Sequence, residues 1–172
     1  MVEGATTVDK AISIASENAD TLAQIVNHAA EASGGTAEMR PNDKETGKPT
    51  KSRSSTERKV RDECDGAPRK VVDMTGGTII LKENQSASKA ISAIEKNLPK
   101  GASIVKLKKL NIAPGSKGYQ DVKVSIKFSN GGVGEVIIID DFMYDGKMKR
   151  GGHACYEITR ILEKHRTQSK LV

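Results

Sequence analysis

Residues 119–140 constrain the fold most. Tyr119 follows Gly118 and opens an alternating stretch that runs to residue 129. Asn130-Gly131-Gly132 then marks a tight turn, and a second apolar stretch covers 134–140. An Asn-Gly step between two such stretches specifies an antiparallel hairpin, so the chain must build a sheet. The second strand carries Glu135 among hydrophobic residues. A carboxylate there is costly to bury unless something uses it. An earlier stretch, 70–82, contains VVDMTGGTIIL and reads as another strand, with Asp73 near its start. Its Gly76-Gly77 break marks a bulge or a close backbone approach to a ligand. Asp73 and Glu135 are therefore candidate catalytic residues and candidate metal ligands.

The remaining segments supply helices to cover that sheet. Ile12, Ala15, Ala19, Leu22, Val26 and Ala29 recur at helical spacing over 8–32, and Gly34-Gly35 ends the run. Residues 35–53 are polar, with two prolines and several charges, and read as a mobile basic loop. Ser54 or Ser55 caps a second helix running to about Cys64. A third helix is expected over 86–97. A strand follows over 103–111, with Ile104, Val105, Leu107 and Leu110 set against Lys106, Lys108 and Lys109. A polar link over 141–152 leads to a last helix over 153–166. The expected fold class is α/β: a mixed sheet with flanking helices. The chain divides into an N-terminal helix (1–34), a flexible basic loop (35–53) and a catalytic domain (54–172).

Composition narrows the function. Aromatic content is only 3% with no Trp, so Ile, Val, Leu and Ala must build the core. The net charge of +6 favours phosphate-bearing partners such as nucleotides or RNA, although solvated lysines alone give the same number. Cys64 and Cys155 have no CxxC partner and the three histidines form no ligand pattern, which argues against structural zinc and fits a reducing compartment. No apolar run approaches the roughly 18 residues of a membrane span. The N-terminus has no basic region leading into an apolar core, so no standard signal peptide is expected.

Lys51 and Lys59, with Arg53 and Arg58 nearby, flank the start of the second helix and are placed to clamp a triphosphate. A solvated basic loop is the alternative. Tyr119 is one of five aromatic residues and can stack on a base or pack at a sheet edge. GKPTKS lacks the spacing and preceding strand of a P-loop.

Read together, these pieces resemble the synthetase domain of the RelA/SpoT family over about residues 47–164. The carrying motifs are Lys51-Ser52 through Ser55 to Lys59, the VVDMTGGTII strand with Asp73, the basic strand around Lys106 and Lys108, and Gly118-Tyr119-Gln120-Asp121. Glu135-Val136-Ile137 and the closing Gly152-His153-Ala154-Cys155-Tyr156-Glu157 complete the set. The resemblance implies Mg²⁺-dependent transfer of pyrophosphate from ATP to the 3′-hydroxyl of a nucleotide or of tRNA. It implies that Asp73 and Glu135 serve the metal and the acceptor hydroxyl, and that Tyr119 stacks on the acceptor base. Lys51, Lys59, Lys106, Lys108 and Lys117 would hold phosphates. It further implies a toxin or secreted effector acting in a cytosol, either the producing cell's or that of a target cell reached by a specialised secretion machine. The alternative is a catalytically inactive module of the same fold that binds RNA or nucleotide. Departures fall on the ATP side: Gly76 and Gly77 stand where an arginine is expected, and Pro49 replaces another, with Lys48 adjacent.

Overall fold

The computed structural model describes residues 1–82, 85–110 and 121–148. Helix α1 spans Val8–Ser33. Thr7 caps it by accepting a hydrogen bond from the Lys10 N–H at 3.2 Å. Gly34 ends it in the left-handed region at φ 75°, where a residue without Cβ carries no strain. Strand β1 (Thr36–Met39), helix α2 (Arg53–Glu63) and a short 3₁₀ turn (Pro68–Lys70) precede strand β2 (Thr75–Leu81). Helix α3 (Ala87–Lys96), strands β3 (Ser103–Leu110), β4 (Asp121–Lys127) and β5 (Val133–Asp140), and helix α4 (Asp141–Met148) follow.

The five described strands form one sheet in the order β1-β2-β5-β4-β3. Among them, only β2 and β5 pair in parallel; the other neighbours are antiparallel. The mixed sheet with flanking helices expected from the sequence is the observed architecture. Helices α1 and α3 cover one face. Leu22, Val26, Ala29, Ala90 and Ile94 are sealed there against Ile79, Val124, Ile126, Val136 and Ile138. Two glycines let α1 approach closely. A Cβ at Gly77 would stand 3.0 Å from Val26 Cγ2, and one at Gly134 would stand 2.9 Å from Leu22 Cδ2. The N-terminal half of α1 joins a second cluster through Ile12, Ala15, Val60, Cys64, Val71 and Met74, which seats α2 and the approach to β2.

Strand alternation sends the intervening residues to the opposite face of the sheet. There the register aligns Gly76 with Glu135, Glu135 with Ser125, and Ser125 with Lys106. The β4–β5 hairpin closes as expected: Phe128 N–H donates to the Gly132 carbonyl at 2.8 Å. Asn130 Oδ1 accepts from Gly132 N–H at 3.0 Å and from buried Asn18 of α1 at 2.9 Å.

Several boundaries differ from the sequence expectation: the cap of α2 is Ser52 rather than Ser54 or Ser55, and three elements shift further. Part of the expected loop over 35–53 is strand: β1 pairs its four residues with β2 as an edge. The strand expected over 70–82 begins only at Thr75, because the Pro68–Lys70 turn and an extended run-in occupy its first half. Asp73 thus stands ahead of β2 rather than on it. The first two thirds of the expected 141–152 link is helix α4, started by Asp140, whose carboxylate accepts from Met143 N–H at 2.8 Å. The helix expected over 153–166 lies outside the described residues.

Candidate active site

The site forms where the run-in to β2 meets the entry to α2. Two backbone links fix that junction. Lys51 N–H donates to the Met74 carbonyl at 2.7 Å, and Thr50 bridges Thr75 in antiparallel fashion. The Thr75 hydroxyl adds a bond to the Pro49 carbonyl at 3.1 Å. Ser52 then caps α2, accepting from Ser55 N–H, and sets Lys59 two turns along the helix. Both lysines converge on Asp73. Lys51 Nζ lies 3.1 Å and Lys59 Nζ 2.8 Å from the same oxygen, Oδ2. The other oxygen, Oδ1, is buried and has no hydrogen-bond partner among the described residues.

The three charges pull one another in distinguishable directions. Burial alone would raise the Asp73 pKa, but the two ammonium groups outweigh it and hold the carboxyl below its ordinary range. Burial also depresses both lysines. For Lys59 the Asp73 hydrogen bond and charge prevail and raise it. For Lys51, burial together with the nearby Arg40 charge wins over Asp73, and its pKa falls.

Arg40 is the residue that sequence reasoning missed. It follows β1, with its N–H on the Gly76 carbonyl at 3.1 Å. Its guanidinium donates to the Asp73 carbonyl at 3.4 Å, and its Nε is buried without a partner among the described residues. The signal was the alternation of Ala37 and Met39 with Glu38 and Arg40, which is strand-like but only one short strand long. Gly76 keeps the space beside it open. A Cβ there would sit 3.0 Å from the Glu135 carbonyl oxygen and 3.9 Å from Arg40 Nη2. An arginine thus reaches the site from the sheet edge, while glycines occupy the strand positions where the family pattern expects one.

A cleft of about 710 Å³ opens over this cluster. Arg40, Lys44, Lys51, Arg58, Lys59 and Lys123 line it, against three carboxylates among the described residues, Asp43, Glu63 and Asp73. Such an excess of cations around one half-buried carboxylate suits a polyphosphate. Other basic residues near the loop are engaged elsewhere. Arg53 pairs with Asp9 and Glu45, and Lys48 pairs with Asp20 of α1.

Glu135 is half-buried on β5, on the sheet face opposite α1 and α3, beside Gly76 and Ser125. Asp73 lies three residues before Gly76, a backbone offset on the order of 10 Å at strand rise. Lys106 and Lys108 face the same side of the sheet, paired with Ser125 and Lys123. Lys117 and Tyr119 fall outside the described residues. No group of three or more His, Cys, Asp or Glu arranged for a metal occurs among the described residues. The donor chemistry nevertheless suits Mg²⁺. Asp73 Oδ1 is a hard oxygen with no hydrogen-bond partner among the described residues; Glu135, the second carboxylate, stands on β5 beside Gly76 and is not among the residues that line the cleft with Asp73. No described helix is long and apolar enough to cross a membrane.

No family model matches the sequence, and no curated protein does. Solved structures do match in shape. The Type VI effector Tas1, in complex with its immunity protein, superposes with a TM-score of 0.61 at 22% identity over 79% of this chain. The chain spans 62% of the length of that match. A GTP pyrophosphokinase family protein from Streptococcus pneumoniae superposes with a TM-score of 0.56 at 14% identity, covering 95% of this chain and 88% of the other. The chain has the RelA/SpoT synthetase fold, in a strongly divergent sequence.

Proposed function

We propose that the chain transfers pyrophosphate from ATP to the 3′-hydroxyl of a nucleotide acceptor or of tRNA. The observation that carries this reading is the convergence of Lys51 and Lys59 on Asp73 inside a cationic cleft. The fold, shared with a GTP pyrophosphokinase family protein, supports it.

In this reading Lys51, Lys59 and Arg40 hold the ATP phosphates and neutralise charge as the β-phosphorus is attacked. Lys106 and Lys108 extend the cationic face toward the acceptor, and Lys117 and Tyr119 would add a further cation and a stacking surface. Glu135 orients the 3′-hydroxyl and takes its proton. The 3′-oxygen then bonds to the β-phosphorus, and the bond from that phosphorus to the α–β bridging oxygen breaks. AMP leaves carrying the bridging oxygen, and the β- and γ-phosphates stay on the acceptor. Mg²⁺, held by Asp73 and Glu135, would supply further neutralisation of the phosphate charge. Holding donor and acceptor in line supplies much of the rate. The likeness to a Type VI effector supports a role as a delivered toxin acting in a target cell's cytosol.

A second reading, a non-catalytic module that binds RNA or nucleotide, draws on Lys106, Lys108 and Lys109, which stand exposed along strand β3. The two separate in one assay. The protein is incubated with γ-labelled ATP, Mg²⁺ and, separately, GDP, GTP, AMP, ADP or tRNA. Label moving to an acceptor, and abolished in Glu135→Gln, supports transfer. Absence of transfer by folded protein, with RNA affinity falling steeply in salt, supports the binding module.

A further inference from the structure

We propose that Lys51 and Lys59 form a lock on Asp73. They keep its carboxylate closed to divalent cations until the phosphates of a nucleotide draw the two ammonium groups away. The inference rests on reading the cleft as a metal-and-nucleotide site, and it concerns the order and coupling of binding rather than the reaction.

The geometry around Asp73 argues for it. One carboxylate oxygen accepts from two ammonium groups at once, at 3.1 and 2.8 Å. A divalent cation seated on that oxygen would stand within a few ångströms of both ammonium groups, where like charges at low solvent exposure repel strongly. The side chains of Lys51, Lys59 and Asp73 are 15%, 24% and 19% exposed, so water screens little of that repulsion. Only Oδ1 is left without a donor among the described residues, and it is buried.

The lock is also built to open. Both lysines reach Asp73 on flexible four-carbon stems, one from the loop entering α2 and one from the helix itself. The cleft beside them has room for a polyphosphate and carries the charge to attract one. A phosphate oxygen is as good a partner for an ammonium group as a carboxylate oxygen. When the lysines change partners, Asp73 Oδ2 is released and the local charge falls, so the metal gains a ligand that the two lysine bonds otherwise occupy. Because linkage is reciprocal, metal and nucleotide then tighten each other's binding through Asp73 by one common factor.

The consequence runs against intuition for a lysine at a nucleotide site: removing it should improve metal binding. The full chain is titrated with Mn²⁺ alone, without nucleotide, and bound metal is read by electron paramagnetic resonance. Lys51→Met and Lys59→Met should each bind Mn²⁺ tighter than the parent chain, on the order of tenfold for the pair to Asp73 removed; Lys59→Met also removes a 3.8 Å pair with Glu63, so Lys51→Met is the cleaner variant. Arg58→Gln removes a cation that lines the same cleft, and no hydrogen bond or ion pair is described between it and Asp73. It should change the affinity by less than the lysine variants do. Adding Asp73→Asn to Lys59→Met should abolish the gain.

Equal or weaker Mn²⁺ binding in both lysine variants, or no detectable binding in any of them, would overturn the lock. So would an equal gain in Arg58→Gln, which would reduce the effect to general charge. The proposed reaction fails separately. Tight Mn²⁺ binding in the variants without pyrophosphate transfer by the parent chain leaves the lock standing and removes the reaction. Transfer with unchanged Mn²⁺ affinity does the reverse.

Discussion

Replacing Asp73 with Ala should destabilise the protein as well as inactivate it. In the parent chain one carboxylate oxygen compensates two ammonium groups, with Arg40 close by. Removing the carboxylate leaves three cations facing one another around the same space. Breaking a fully buried pair by deleting one partner costs about 3–5 kcal/mol. An exposed pair is worth about 0–1 kcal/mol. The Asp73 side chain is 19% exposed, nearer the buried limit, so the expected loss is about 2–4 kcal/mol. For a chain of 172 residues that corresponds to a fall in Tm of about 5–15 °C. Thermal unfolding followed by circular dichroism reads it directly. Asp20→Ala is the control: its pair with Lys48 is 69% exposed on the carboxylate side and should cost no more than about 0.5 kcal/mol.

The pH dependence adds a second signature. The folded Asp73 pKa is depressed, so the unfolded chain binds the proton more readily than the folded one. Its contribution to stability is complete above the unfolded carboxylate pKa and is lost as pH falls through the folded value. The gap between the parent chain and Asp73→Ala should therefore be constant near neutrality and shrink below about pH 4. An Asp73→Ala protein as stable as the parent at pH 7, or a gap that widens in acid, would refute the ion-pair account.

Three further substitutions separate the roles of neighbouring residues. Glu135→Gln should lower pyrophosphate transfer by about 10²–10⁴-fold, the usual range when a general base is removed, while Tm stays close to that of the parent. Arg40→Gln should weaken binding of tripolyphosphate, measured by calorimetry, by about tenfold, as expected when one charge-assisted hydrogen bond is removed. Gly77→Ala should cost about 1–3 kcal/mol in urea unfolding, because its Cβ meets Met39 Sδ at 2.6 Å and Val26 at 3.0 Å.

The sequence carried the parts of the fold that rest on long periodic signals. Helix α1 was legible because its apolar residues recur over 26 positions and a glycine ends it. The hairpin was legible because Asn130-Gly131 permits few alternatives. Strand β1 was not, since four residues at a sheet edge show two alternations at most and pass for loop. Helix α4 was hidden by Gly146 and by a cap, Asp140, that doubles as the last residue of β5. The convergence of Lys51 and Lys59 is a tertiary fact: it depends on the Thr50–Thr75 bridge, which joins segments 25 residues apart. For the same reason Arg40, 33 residues from Asp73, gave no local sign of its place in the cleft. Pro49 in the family's arginine position pointed to a missing cation, whereas the fold brings one in from the sheet edge.

Product identity tests the central claim most directly. The protein is incubated with ATP, Mg²⁺ and each acceptor, and every nucleotide in the mixture is separated and quantified. Pyrophosphate transfer predicts AMP appearing one-for-one with an acceptor that has gained two phosphates. Formation of ADP in place of AMP, or intact ATP with every acceptor in the presence of folded protein, would contradict it.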